Sequence, residues 1–184
     1  MLYENPGAAH AGRSIGAVAT LAGSLALLGA VLNLIGVGRL GLDFLHDPGD
    51  FDNSLAYITL LGGLLTAAML TYGAILLFRH DETGRFTVIV TSWVWAAIGV
   101  VGLALALVDY SFDYGVEWFA GTGPVAESLF ALTGIVGAVT ALLAADPIAA
   151  LVALAPPVLT ALAATPRYPS DRATGGPGPR RGSG

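Results

Sequence analysis

The stretch "SLFALTGIVGAVTALLAADPIAALVALAPPVLTALAAT", residues 128–165, decides how this chain is built. It is apolar apart from a few hydroxyls and one acid, Asp146, and it carries Pro147, Pro156 and Pro157. A helix needs about 20 apolar residues to cross a hydrocarbon core of about 30 Å. Residues 128–145 rise about 27 Å at about 1.5 Å per residue, nearly a full crossing. Asp146 is therefore expected at the cytoplasmic interface and not at mid-membrane. Asp followed by Pro also starts helices, with Asp as N-cap and Pro at the first position. Proline inside a helix removes a backbone donor and clashes with the preceding turn, so Pro156 and Pro157 predict a break about eight residues later. Residues 148–165 are then expected to dip in and return, or to lie along the inner leaflet. A fifth crossing is the competing reading, because 17 or so apolar residues can just span. Asp146, Pro147, Pro156 and Pro157 are read as helix punctuation.

Outward from this stretch, three further segments can cross: 14–37, 55–78 and 87–108. None holds Asp, Glu, Lys or Arg. The chain is 55% hydrophobic and only 11% charged, less than half of the ~25% usual in soluble domains. The fold expected is all-α: an integral membrane four-helix bundle with spans 14–37, 55–78, 87–108 and 128–145 and a Pro-broken apolar C-terminal segment. The first segment exceeds the roughly 7–15 apolar residues of a signal peptide core, so it reads as a retained anchor.

Arginine sets the orientation. All eight basic residues are Arg, and basic residues collect on cytoplasmic flanks. Arg13 lies on the N-terminal arm, Arg79 and Arg85 on the short second connection, and Arg167, Arg172, Arg180 and Arg181 on the tail. Only Arg39 falls in a long loop. Four crossings with both termini cytoplasmic put seven of the eight in the cytoplasm, as expected of a multi-pass inner-membrane protein. A fifth crossing would move the four tail arginines out. The tail, 166–184, is rich in Pro, Gly, Ser and Arg and is expected to be disordered. It either sets orientation as a solubilising tail or rests on anionic headgroups.

Small residues let helices approach closely in lipid. Segment one carries Gly16, Ala19, Gly23, Ala26, Ala30 and Asn33 at alternating steps of three and four. Segment four carries Ala131, Gly134, Ala138, Ala141 and Ala145. This period of 3.5 implies left-handed crossings near about +20°. Asn33 is expected to bond another helix. The halves also resemble each other: shifted by 74, Ser54, Leu55, Thr59, Gly63, Thr66 and Ala67 meet Ser128, Leu129, Thr133, Gly137, Thr140 and Ala141. A duplicated helical hairpin is one reading, and an economical bundle is the other.

The connections hold the remaining candidates. Asp43, His46, Asp47, Asp50 and Asp52 sit close together in the first long loop, but they lack the EF-hand spacing and offer only one His for zinc. They read as a solvated acidic loop that caps segment two. Tyr110, Phe112, Tyr114, Trp118 and Phe119 in the second long loop suit either the membrane interface or a partner surface. Trp93 and Trp95 read as the inner aromatic belt. With no cysteine, thiolate chemistry is excluded. His10, His46 and His80 all lie in connections, and no Ser-His-Asp set, HExxH or phosphate loop is present. Neither enzymatic activity, a cofactor, a metal nor a nucleic-acid partner is expected. The expected partners are lipid, other membrane proteins or a second copy of the chain.

"GAVLNLIGVGRL" (29–40), "YGAILLFRHDETGRFTVIV" (72–90) and the Pro/Gly/Arg tail resemble the small four-span membrane proteins of unknown function common in actinobacteria. The likeness covers residues 15–108 and implies the four-span fold. It brings no catalytic residues. On these grounds the expected role is a non-enzymatic accessory or scaffold subunit that packs through its small-residue faces. A small-solute or lipid facilitator is the alternative.

Overall fold

The computed structural model describes residues 6–46, 53–108 and 124–165, with side-chain surroundings from Ala17 onward except at Asn53, Pro124 and Glu127. All regular structure among them is helical: α1 Pro6–His46, α2 Asn53–Phe78, α3 Glu82–Leu107, α4 Pro124–Phe130, α5 Gly134–Ala144 and α6 Pro147–Ala164. Four helices are long and apolar enough to cross a membrane: Ala17–His46, Ser54–Phe78, Glu82–Leu107 and Pro147–Ala164. The chain is an all-α multi-pass membrane protein.

The four long helices form a ring in which α1 packs on α2, α2 on α3, α3 on α6 and α6 on α1. Their inward faces are small. Ala19, Ala22, Gly23, Ala26 and Ala30 of α1 are buried, as are Ala149, Ala150, Ala153 and Ala161 of α6. Their outward faces carry large aliphatics, among them Leu21, Leu28, Ile58, Leu61, Val94, Leu151 and Leu159. This inversion of a water-soluble pattern suits hydrocarbon, where close backbone packing holds helices together. The α2–α3 hairpin shows that packing most clearly, since a Cβ on Gly73 would meet the Gly84 carbonyl at 3.2 Å. Its turn is a Schellman motif: Asp81 N–H bonds Leu76 O and His80 N–H bonds Leu77 O, with His80 left-handed at φ 60.

Residues 128–145 do not form one helix. The chain stops at Phe130, turns through 131–133 and restarts as α5. Thr133 N–H and its hydroxyl both bond Phe130 O, and Gly134 takes φ +75, which only glycine adopts without strain. In the 74-residue alignment Gly134 stands where α2 has Leu60, and α2 runs on unbroken through that point. The two halves are therefore not built alike. At 11 residues α5 is about 16 Å long, half of a crossing.

Residues 147–164 do not break. They form α6, 18 residues or about 27 Å, continuous through Pro156 and Pro157. The two prolines remove only their own N–H bonds, to the Val152 and Ala153 carbonyls. Within a bundle no bulk water competes for the freed groups, and neighbouring helices hold the helix in shape. Thr160 Oγ1 meanwhile donates to Pro156 O at 2.8 Å. Asp146 and Pro147 do start the helix: the Asp146 carboxylate accepts from Ile148 N–H at 2.8 Å, with Pro147 at the first position.

Helix α1 also differs from expectation. It runs past residue 37 to His46, so Arg39, Asp43 and His46 are helical rather than looped. Leu40, fully buried among Val37, Leu55 and Leu60, anchors this extension. An edge contact of Phe44 on Tyr57, 5.3 Å between centroids, ties it to the start of α2.

Candidate functional site

The most distinctive local arrangement lies where α5 begins. Helix α5 packs against all four long helices, and Gly134, Ile135, Val136, Gly137, Ala138 and Ala141 are buried. It starts beside Asn33, while Val139 and Leu143 lie with Leu40 and Leu55, near where α1 ends and α2 begins. A helix start leaves backbone N–H groups without intrahelical partners, and inside a membrane no bulk water can take them. Asn33 of α1 supplies one partner. Its Oδ1 accepts from Ile135 N–H at 2.9 Å, and its Nδ2 donates to Gly29 O at 2.8 Å. The amide is 0% exposed, and both ends are satisfied. Gly36, one turn on, lets α1 pass against the Thr133 carbonyl, since a Cβ there would overlap that oxygen.

Three buried or half-buried hydroxyls are committed within their own helices. Thr71 bonds Ala67 O, Thr140 bonds Val136 O and Thr160 bonds Pro156 O. Such i−4 bonds satisfy a hydroxyl without a partner helix. Among the described residues, three buried side-chain atoms have no hydrogen-bond partner: Arg85 Nε, Ser92 Oγ and Trp95 Nε1. All three can donate, and all three belong to α3. Trp95 is not in an aromatic belt. It is 1% exposed in the bundle core, while Trp93 lies on the outside at 54%. Arg85 lines a cleft with Val18, Ala22, Leu77, Ala163 and Ala164, so every long helix contributes a wall.

The other sequence candidates separate. Ala131, Ala138 and Ala141 are buried inside the bundle with Ala19, Ala26 and Ala30. The surroundings of Gly16 lie outside the described residues, as do Asp47, Asp50, Asp52, Tyr110, Phe112, Tyr114, Trp118, Phe119 and the tail. His46 Nδ1–H bonds Leu42 O at 2.8 Å, which fastens its ring to the last turn of α1. Among the described residues no three His, Asp or Glu converge as metal ligands. Asp81 caps α3 through Thr83 N–H at 2.8 Å, and this bond holds its carboxyl below the ordinary carboxylate range. Sequence reasoning missed Arg85 and Trp95 as buried polar groups; the signal was their place on the small-residue face of α3, with Gly84, Ser92 and Gly99. No protein-family model, curated protein or solved structure matches this chain.

Proposed function

We propose that the protein is a non-enzymatic accessory or scaffold subunit of the cell (inner) membrane, with both termini cytoplasmic. The observation that carries this reading is the bond from Ile135 N–H to Asn33 Oδ1. In transporters, broken helices present free N–H groups to a substrate at the bilayer midplane. Here the broken segment spends that donor on its own chain. The hydroxyls of Thr71, Thr140 and Thr160 likewise bond their own helices. Because the small-residue faces are used inside the bundle, partners or a second copy would dock on the outer aliphatic ridges, such as Leu28, Val31 and Ile35 of α1. The arginine distribution supports the orientation, with seven of eight on the cytoplasmic side. Affinity capture in mild detergent followed by mass spectrometry tests the role. A stoichiometric membrane partner or a homo-oligomer is expected, and a lone monomer counts against it.

A small-solute facilitator is the second reading. It is favoured by the presence of a half-helix, α5, within a ring of four spans. Proteoliposomes that swell in small polar solutes no faster than empty vesicles would remove it.

A further inference from the structure

The cleft beside Arg85 lies where the four long helices meet at the end that carries the α2–α3 turn. Val18, Ala22, Leu77, Ala163 and Ala164 make its walls, and Arg85 is the one charge among the described residues of its lining. The space is small, about 20 Å³, enough for one water-sized atom. Arg85 Nε is buried and has no acceptor among the described residues. A buried N–H on a cation is costly when unmet, and the described walls offer no acid, so the acceptor lies beyond the described residues. Phe86 is 73% exposed and Phe78 43% exposed on either side of the turn. The charged turn between them, with Arg79, His80, Asp81 and Glu82 all exposed, lies outside the hydrocarbon, at the depth of the phospholipid phosphates. A guanidinium fork matches a phosphate's oxygens and binds them more strongly than it binds a neutral acceptor.

We propose that Arg85 binds the phosphate of an anionic phospholipid, with one phosphate oxygen entering the cleft to meet Nε. The lipid then joins the Val18–Ala22 stretch of α1 and the last turn of α6 to the α2–α3 hairpin. A net negative headgroup is selected because it neutralises Arg85 outright, whereas a zwitterionic one brings its own cation to the same walls.

Native mass spectrometry of the full chain, with equal phosphatidylglycerol and phosphatidylcholine in the micelles, tests the selection without any substitution. One retained phosphatidylglycerol, favoured about fivefold as one basic side chain at the surface supplies, is the expected result. Parity between the two lipids overturns the proposal and leaves water as the occupant. Thermal unfolding gives a second measurement. Phosphatidylglycerol is expected to raise Tm in the native chain and in Arg79→Gln but not in Arg85→Gln. Inorganic phosphate is expected to leave Tm unchanged. A Tm rise with inorganic phosphate equal to that with phosphatidylglycerol identifies a soluble-anion site and overturns the lipid assignment, as does an undiminished lipid shift in Arg85→Gln.

Discussion

Asn33 and Ile135 are 102 residues apart in sequence and 2.9 Å apart in hydrogen bonding, with the side-chain amide of one helix capping the start of another. The same amide is tied to its own helix through Gly29 O, so its orientation is fixed before α5 docks. Asn33→Leu keeps the bulk and removes both bonds. An unmet buried N–H costs about 1–3 kcal/mol, and that loss is expected in reversible unfolding from mixed micelles. Asn33→Asp retains the acceptor for Ile135 but turns a carboxylate oxygen toward Gly29 O. It is expected to be destabilised at neutral pH and to recover as the pH falls and the carboxyl gains a proton to donate. A leucine variant as stable as the native chain would show that the cap carries no energy.

Gly134 and Gly36 hold the break in place from opposite sides. A Cβ on Gly134 overlaps the Asn33 side chain and would have to sit at φ +75. The left-handed region alone costs a non-glycine residue about 1–2 kcal/mol, so Gly134→Ala is expected to lose more than that. Gly36→Ala meets the Thr133 carbonyl and Val136 Cβ, an overpacking worth about 1–3 kcal/mol. Gly38→Ala is the control on the same helix. Nothing lies within 4 Å of its Cβ position, and alanine favours a helix by about 0.5–1 kcal/mol over glycine. Two losses and one gain, ranked in that order by unfolding midpoint, are expected. A loss in Gly38→Ala as large as the other two would dissolve the distinction.

How legible this architecture was follows from how local each cause is. Asp146 and Pro147 announce a helix start within two residues, and the structure has that start. Asn33 is visible as an amide that must find a partner, but its partner lies on a segment that cannot be chosen from spacing alone. Thr133 and Gly134 sit in a run of small residues, so Gly134 reads as part of a packing face while its actual task is a turn. Pro156 and Pro157 mislead because their disruptive effect is calibrated on helices in water, and packing against α3 and α1 keeps α6 whole. Gly38, Arg39 and Asp43 look like loop residues, and they stay helical because Leu40 finds a pocket with Leu55 and Leu60.

Trp95 and Ser92 make a different kind of prediction, because each carries a buried donor without a partner. Trp95→Phe removes the indole N–H at a cost of about 1 kcal/mol for the smaller ring. Release of an unmet donor returns about 1–3 kcal/mol. The variant is therefore expected to match or exceed the native stability, and Ser92→Ala is expected to do the same. A loss of several kcal/mol in either would mean that the donor is satisfied by ordered water inside the bundle.

The ends of the bundle can be assigned by chemistry, because the chain has no cysteine. Ala163 and Ala164 share a cleft with Arg85 and Val18, so the last turn of α6 lies at the same end as the α2–α3 turn. Leu45, 77% exposed near the end of α1, lies some 27 residues beyond Val18, about 40 Å along the helix and past the far face of a ~30 Å core. Single cysteines at His80 and Thr165, both exposed, should behave alike toward an impermeant maleimide, and a cysteine at Leu45 should behave oppositely. With the arginine-rich end inside, the first two are expected to label only after the cells are permeabilised, and Leu45→Cys to label in intact cells. Opposite labelling of His80→Cys and Thr165→Cys would require an odd number of crossings between them and overturn α6 as the returning span.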